Sequence, residues 1–137
     1  MTSVPLTANE GAPESALHAV AWAGDVEEAK KLIEAGADVN WSDAAGETAL
    51  FGAAAWGHSE MVAFLLSCGA ECNRREKTGY TPLHWAASHG NVATIEILLA
   101  AGAERDAVDD RGRRPIDVAR ASGKGAHVVS LRVKGGA

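Results

Sequence analysis

At 137 residues, 47% of them apolar and 23% charged, the chain holds material for about one domain and is too apolar for disorder throughout. No apolar run approaches the roughly 18 to 20 residues that a bilayer-spanning helix needs, and a net charge of −5 argues against nucleic acid as a partner. That charge is unevenly spread: residues 1–73 carry two cationic side chains against eleven acidic ones, and residues 74–137 carry eleven against seven, so the molecule is electrically two-ended.

Taken in order, residues 1–9 read as a loose tail, with neither the basic start nor the apolar stretch of a secretory signal. Helical spacing begins at Ser15, placed to cap a helix running to about Ala23. Gly24-Asp25 turns the chain, Asp25 can cap a second helix over 26–35, and Gly36 can end it in the left-handed conformation. The same plan predicts helices over 48–55 and 59–67, over 81–88 and 92–101, and over 114–121 and 126–133. The intervening segments, such as 70–80, carry turn chemistry.

Three independent marks keep one step of 33 residues. Leu17, Leu50, Leu83 and Ile116 form one series; Gly24, Gly57, Gly90 and Gly123 a second; Leu32, Leu65, Leu98 and Leu131 a third. With the run Thr81-Pro82-Leu83-His84-Trp85-Ala86-Ala87, this pattern resembles the ankyrin repeat. The resemblance covers about residues 10–133 and implies an all-α fold: a solenoid of four helix-turn-helix units, over 10–42, 43–75, 76–108 and 109–133, with a short tail at 134–137. It further implies β-hairpin-like finger loops with glycine at the turn, and a His84 ring that bonds backbone between repeats while Thr81 caps its helix. The ends of the stack show in substitutions at matched positions. Arg120 follows Ala21, Ala54 and Ala87, and Arg132 follows Ile33, Leu66 and Leu99, so nothing further packs there. At the other end Lys31 stands where Phe64 and Ile97 follow, as a polar cap would.

Signals for chemistry are weak. Cys68 and Cys72 lack the second matched pair that a zinc site needs, and they suit a reducing, cytoplasmic or nuclear, compartment. No nucleophile elbow and no phosphate-binding loop is present. The expectation is a non-enzymatic protein with no cofactor and no metal. Leu32 and Asn40, eight apart, resemble the asparagine-hydroxylation pattern of animal ankyrin repeats, although Asn40 also suits a structural turn, as Asn73 does.

The resemblance instead implies binding of another protein in a concave groove lined by finger tips and first helices. On this chain those positions include Trp22, Ala45, Glu47, Trp56, Lys77, Tyr80, His89, Arg111 and Arg113. Trp22, Trp56 and Tyr80 fall where solvent is expected, either as anchors for a partner or as rings folded onto neighbours. Trp85 is expected to pack between helices, and Trp41 suits either role. Basic residues on the later fingers and Glu47 near the start would suit a peptide with an acidic end and an apolar middle. The alternative is a lipid surface held by Arg111, Arg113 and Arg114. A monomer is expected, and replacing groove residues is expected to alter binding while leaving the stack intact.

Overall fold

A computed structural model describes residues 13–132. The tails expected over 1–9 and 134–137 lie outside the described residues. Within them run eight helices: α1 Pro13–Ala23, α2 Val26–Glu34, α3 Ala49–Ala55, α4 Ser59–Ser67, α5 Pro82–His89, α6 Val92–Ala100, α7 Pro115–Ala121 and α8 Gly125–Leu131. At seven to eleven residues each, none is long enough to persist alone in water. They survive by packing in antiparallel pairs, α1 with α2 and so on to α7 with α8. The first helices of the pairs form one layer, α1 to α3 to α5 to α7, and the second helices form another, α2 to α4 to α6 to α8.

The core lies between these layers and repeats with the period of the sequence. Leu17, Leu50 and Leu83 are almost wholly buried, Ile116 slightly less so, and Leu65, Leu98 and Leu131 fill the second layer. Small residues set the spacing of the first layer, because Ala21, Ala54 and Ala87 have no exposed surface. Arg120, at the next step, is exposed, as is Arg132, so the stack ends there among the described residues. Lys31 is exposed where Phe64 and Ile97 are half-buried.

Local chemistry explains the helix ends. Asp25 accepts the Glu28 N–H at 3.1 Å, and Gly36, at φ 104°, takes the left-handed conformation past the end of α2. Ser15 lies inside α1 rather than at its N-cap position. That helix begins two residues earlier at Pro13, whose fixed φ and missing N–H suit a first helical position. Thr81 does cap α5, and the arrangement is reciprocal: its hydroxyl accepts the His84 N–H at 3.3 Å while its own N–H donates to His84 Nδ1 at 3.1 Å.

That last bond determines the state of the ring. With Nδ1 accepting, the proton sits on Nε2, which donates to the Arg113 carbonyl of the next repeat at 2.8 Å. Burial holds the His84 pKa below its ordinary value, in keeping with a neutral imidazole. Other polar side chains cross between repeats in the same way. His58 Nε2 donates to the Trp22 carbonyl at 2.9 Å, and Asn91 Nδ2 to the Gly57 carbonyl at 2.9 Å. Asn40 donates to the Gly69 carbonyl and accepts from the Glu71 N–H, and Asn73 does the same with Gly102 and Glu104 one step later. Both ends of the Asn40 carboxamide are therefore engaged in joining repeats.

Each finger is a tight turn closed across four residues: Asp43 N–H to Glu47 O at 3.0 Å, Glu76 N–H to Tyr80 O at 2.9 Å, and Asp109 N–H to Arg113 O at 2.9 Å. Successive fingers are laced together by Lys77 N–H to Ala45 O and Asp110 N–H to Thr78 O. The expected hairpin-like shape is thus present in its hydrogen bonding, although no residue among those described is assigned to a strand.

Two outcomes test this account. Leu83→Ala should cost about 2–5 kcal/mol in urea unfolding, since the cavity would open between α3, α5 and α7. A loss under 1 kcal/mol would mean that the layers are not closely packed there. His84 binds a proton less readily folded than unfolded, so its contribution is complete above the ordinary histidine pKa of about 6.5 and is lost as pH falls below it. The melting-temperature gap between the native chain and His84→Gln should therefore narrow from pH 7.5 to pH 5, and a constant gap would contradict a neutral buried ring.

Candidate functional site

The groove is assembled from α1, α3 and α5 on one side and three fingers on the other. Three adjoining clefts make it up. The first, about 300 Å3, is lined by residues including His18, Trp22, Asp43, Glu47 and Gly52. A narrow one of about 170 Å3 is lined by Trp22, Ala55, Trp56, Trp85 and His89. The third, about 490 Å3, is lined by Glu76, Lys77, Thr78, Tyr80, Trp85, His89, Asp109, Asp110, Arg111 and Arg113. Trp22 is shared by the first two, and Trp85 and His89 by the last two, so the clefts run into one another.

Rings line the floor. Trp22 and Trp56 are 54% and 57% exposed, yet their centroids lie 5.5 Å apart with planes tilted by 60°. The rings lean on each other and still offer more than half of their surface. The absence of a side chain at Gly52 makes room for this, since a Cβ built there would lie 3.3 Å from Trp22 Cε3. Tyr80 is half-buried, stacked on His84 at 5.0 Å and edge-on to Trp85 at 5.2 Å, and Trp85 in turn leans on His89 at 5.4 Å. Trp85 is thus packed between helices and also walls the groove. Its buried indole N–H finds no acceptor among the described residues.

The fingers are held by one device used three times. An acid at the head of each accepts backbone N–H groups two and four residues on: Asp43 from Ala45 and Glu47, Glu76 from Thr78 and Tyr80, Asp109 from Arg111 and Arg113. Asp109 is almost wholly buried, and its second oxygen accepts Arg113 Nε at 2.9 Å. Burial by itself would raise the Asp109 carboxyl; the hydrogen bonds from Arg113 and Arg111 outweigh it and hold the group below the usual carboxylate range. Asp109 thereby keeps a stabilising charge at neutral pH, and that contribution is lost as pH falls through its depressed pKa.

Eight of the nine groove residues expected from the sequence line these clefts: Trp22, Glu47, Trp56, Lys77, Tyr80, His89, Arg111 and Arg113. Ala45 does not; its carbonyl accepts from Lys77 and serves to join two fingers. Arg113 lines the groove but is not outside the stack. Besides Asp109 it holds Tyr80 Oη at 3.1 Å and lies 5.7 Å from the centre of the Tyr80 ring, so the expectation that it can be replaced without structural cost is corrected. Arg74 pairs with Glu71, Arg75 with Asp110 and Arg114 with Asp117. Lys77 and Arg111 make no ion pair among the described residues.

The cysteines are both free and half-buried, and burial raises the Cys72 thiol pKa. No group of three or more potential metal ligands occurs among the described residues, and no helix there is long and apolar enough to cross a membrane.

Comparison with known families places this geometry. Residues 4–76 match the family signature described as ankyrin repeats (3 copies), and residues 65–119 match that described as ankyrin repeats (many copies). A comparison with curated proteins found no match. Ankyrin repeats are modules that bind other proteins and are typically non-enzymatic. On the helix pairs, the period and these matches, the chain belongs to the ankyrin-repeat family.

Proposed function

We propose that this chain acts by gripping a partner protein in the groove, as an adaptor, inhibitor or assembly chaperone rather than as an enzyme, in the cytoplasm or nucleus. The observation that supports this most is the tryptophan pair. Two indoles more than half exposed on one face are expensive to leave in water, and tryptophan dominates the energetics of protein interfaces. The cleft they line runs through Trp85 and His89 into the one walled by Lys77 and Arg111, which make no ion pair among the described residues. Four repeats offer a small contact, roughly 600–800 Å2 on each partner.

Lipid recognition through the basic fingers is less well supported. Of the three arginines it would require, Arg113 is tied to buried Asp109 and Arg114 to Asp117, which leaves Arg111.

The reading is tested by pull-down from host extract, comparing the native chain with Trp22→Ala/Trp56→Ala. Each ring should contribute on the order of 2 kcal/mol, about thirtyfold in affinity, while the melting temperature changes little. Prey retained equally by both proteins would rule out the groove. Arg113→Glu is unsuitable as the charge variant, because it would oppose a buried carboxylate with a like charge and should lower the melting temperature on its own. Lys77→Glu/Arg111→Glu avoids this.

A further inference from the structure

The groove differs in charge from one end to the other, and the ends are not compensated internally. At the first finger, Glu47 makes no ion pair among the described residues and uses only its backbone in the turn. Burial raises its carboxyl pKa, and the neighbouring Asp43 and Glu76 raise it further. At the same finger the His18 ring lies 3.8 Å from Asp43. At the later fingers the balance reverses. Asp109 is matched by Arg113 and Asp110 by Arg75; the buried Glu76 carboxylate, tied to its own turn, offsets one of Lys77 and Arg111, so one positive charge stands in excess at the cleft wall. Between the two ends lie the rings of Trp22, Trp56 and Trp85.

We propose that the groove selects a bipolar segment of a partner chain: a basic side chain at Glu47, a large apolar side chain over the indoles, and an acidic side chain at Lys77 and Arg111. This rests on the reading of the groove as a protein-binding surface and adds the order of charges along the ligand. The fold also sets their separation. Glu47 and Arg111 stand two repeats apart, and packed helices are spaced about 8–10 Å, so the gap is roughly 16–20 Å. An extended chain rises about 3.3 Å per residue, which places an acid at Arg111 about five or six residues from the base at Glu47, while one at Lys77, a single repeat away, would lie about three residues along. A uniformly acidic segment would meet repulsion at Glu47, and a uniformly basic one would find no partner at Lys77 or Arg111.

A displayed library of random dodecamer peptides, selected on the whole chain, tests this. Parallel selections use Trp56→Ala and the charge-swapped Glu47→Lys/Lys77→Glu/Arg111→Glu. The native chain should enrich peptides with opposite charges about three or about five or six residues apart around Trp, Phe or Leu. Their affinity should fall about thirtyfold on Trp56→Ala, and the swapped chain should prefer the same peptides with charges inverted. Peptides that depend on Trp56 but show no charge order, or that bind the native and swapped chains equally, would overturn the bipolar proposal and leave the groove reading standing. Absence of any Trp56-dependent peptide would overturn both. A native chain that sediments as a dimer, and becomes monomeric on Trp56→Ala, would show the groove filled by a second copy and would also overturn it. If the swapped chain melts lower than the native one, Glu47→Gln/Lys77→Gln/Arg111→Gln replaces it; this chain should lose the charge preference without inverting it, and a preference kept intact would overturn the proposal.

Discussion

Helices of seven to eleven residues have no existence apart from their neighbours, and this chain contains no longer ones among its described residues. Each must lend its apolar stripe to the pair before and the pair after, so stability is a sum of shared interfaces. That requirement dictates residue size. Where α1, α3 and α5 press together, Ala21, Ala54 and Ala87 leave no room for anything larger, and Ala53, Ala86 and Ala119 keep the same economy of space. Of the bulky rings on this layer, Phe51 is taken into the interior, whereas Trp22 and Trp56 lie exposed at its edge, where the groove is.

The fingers obey a second constraint, that backbone N–H groups in a tight turn need acceptors. An acid at the head of each turn meets it, but an acid buried against protein must itself be compensated. At the third finger compensation comes from Arg113, at the cost of immobilising that arginine against Tyr80 and the groove wall. At the first finger the head acid is Asp43, with the His18 ring 3.8 Å away, and Glu47 at the far end of the turn has its carboxyl pKa raised by burial and by the neighbouring Asp43 and Glu76. The electrical asymmetry of the groove is therefore a residue of how each turn was stabilised, repeat by repeat.

Much of the fold was legible because the period carries it. Once Leu17, Leu50, Leu83 and Ile116 share one environment, the helix ends follow to within about two residues; the largest offsets are the start of α1, at Pro13 rather than Ser15, and the end of α8, at Leu131 rather than about residue 133. The site was less legible, for a physical reason. A one-dimensional pattern distinguishes positions, not partners. Asp43, Glu76 and Asp109 keep the step of 33 residues in plain view, yet a carboxylate in a polar loop reads as a solvated charge until its hydrogen bonds are seen. Arg113 read as a cation outside the stack for the same reason, although its guanidinium holds Asp109 and Tyr80. Trp85 read as core, and its second face on the groove shows only once α3 and α5 are side by side.

These assignments divide the groove into parts that are already ordered and parts that are not. Arg113 and Tyr80 hold each other, and Trp85 is braced by Tyr80 and His89, so a partner meeting that wall encounters side chains whose freedom was surrendered on folding. Lys77, Arg111 and Glu47 make no ion pair among the described residues and would lose rotamer freedom only on binding. A rigid aromatic and cationic wall favours affinity; three adaptable charges favour discrimination between partners, since a mismatched charge leaves both groups desolvated and unpaired. In the proposed binding mode the groove would tell segments of different polarity apart more than it would hold any one of them strongly.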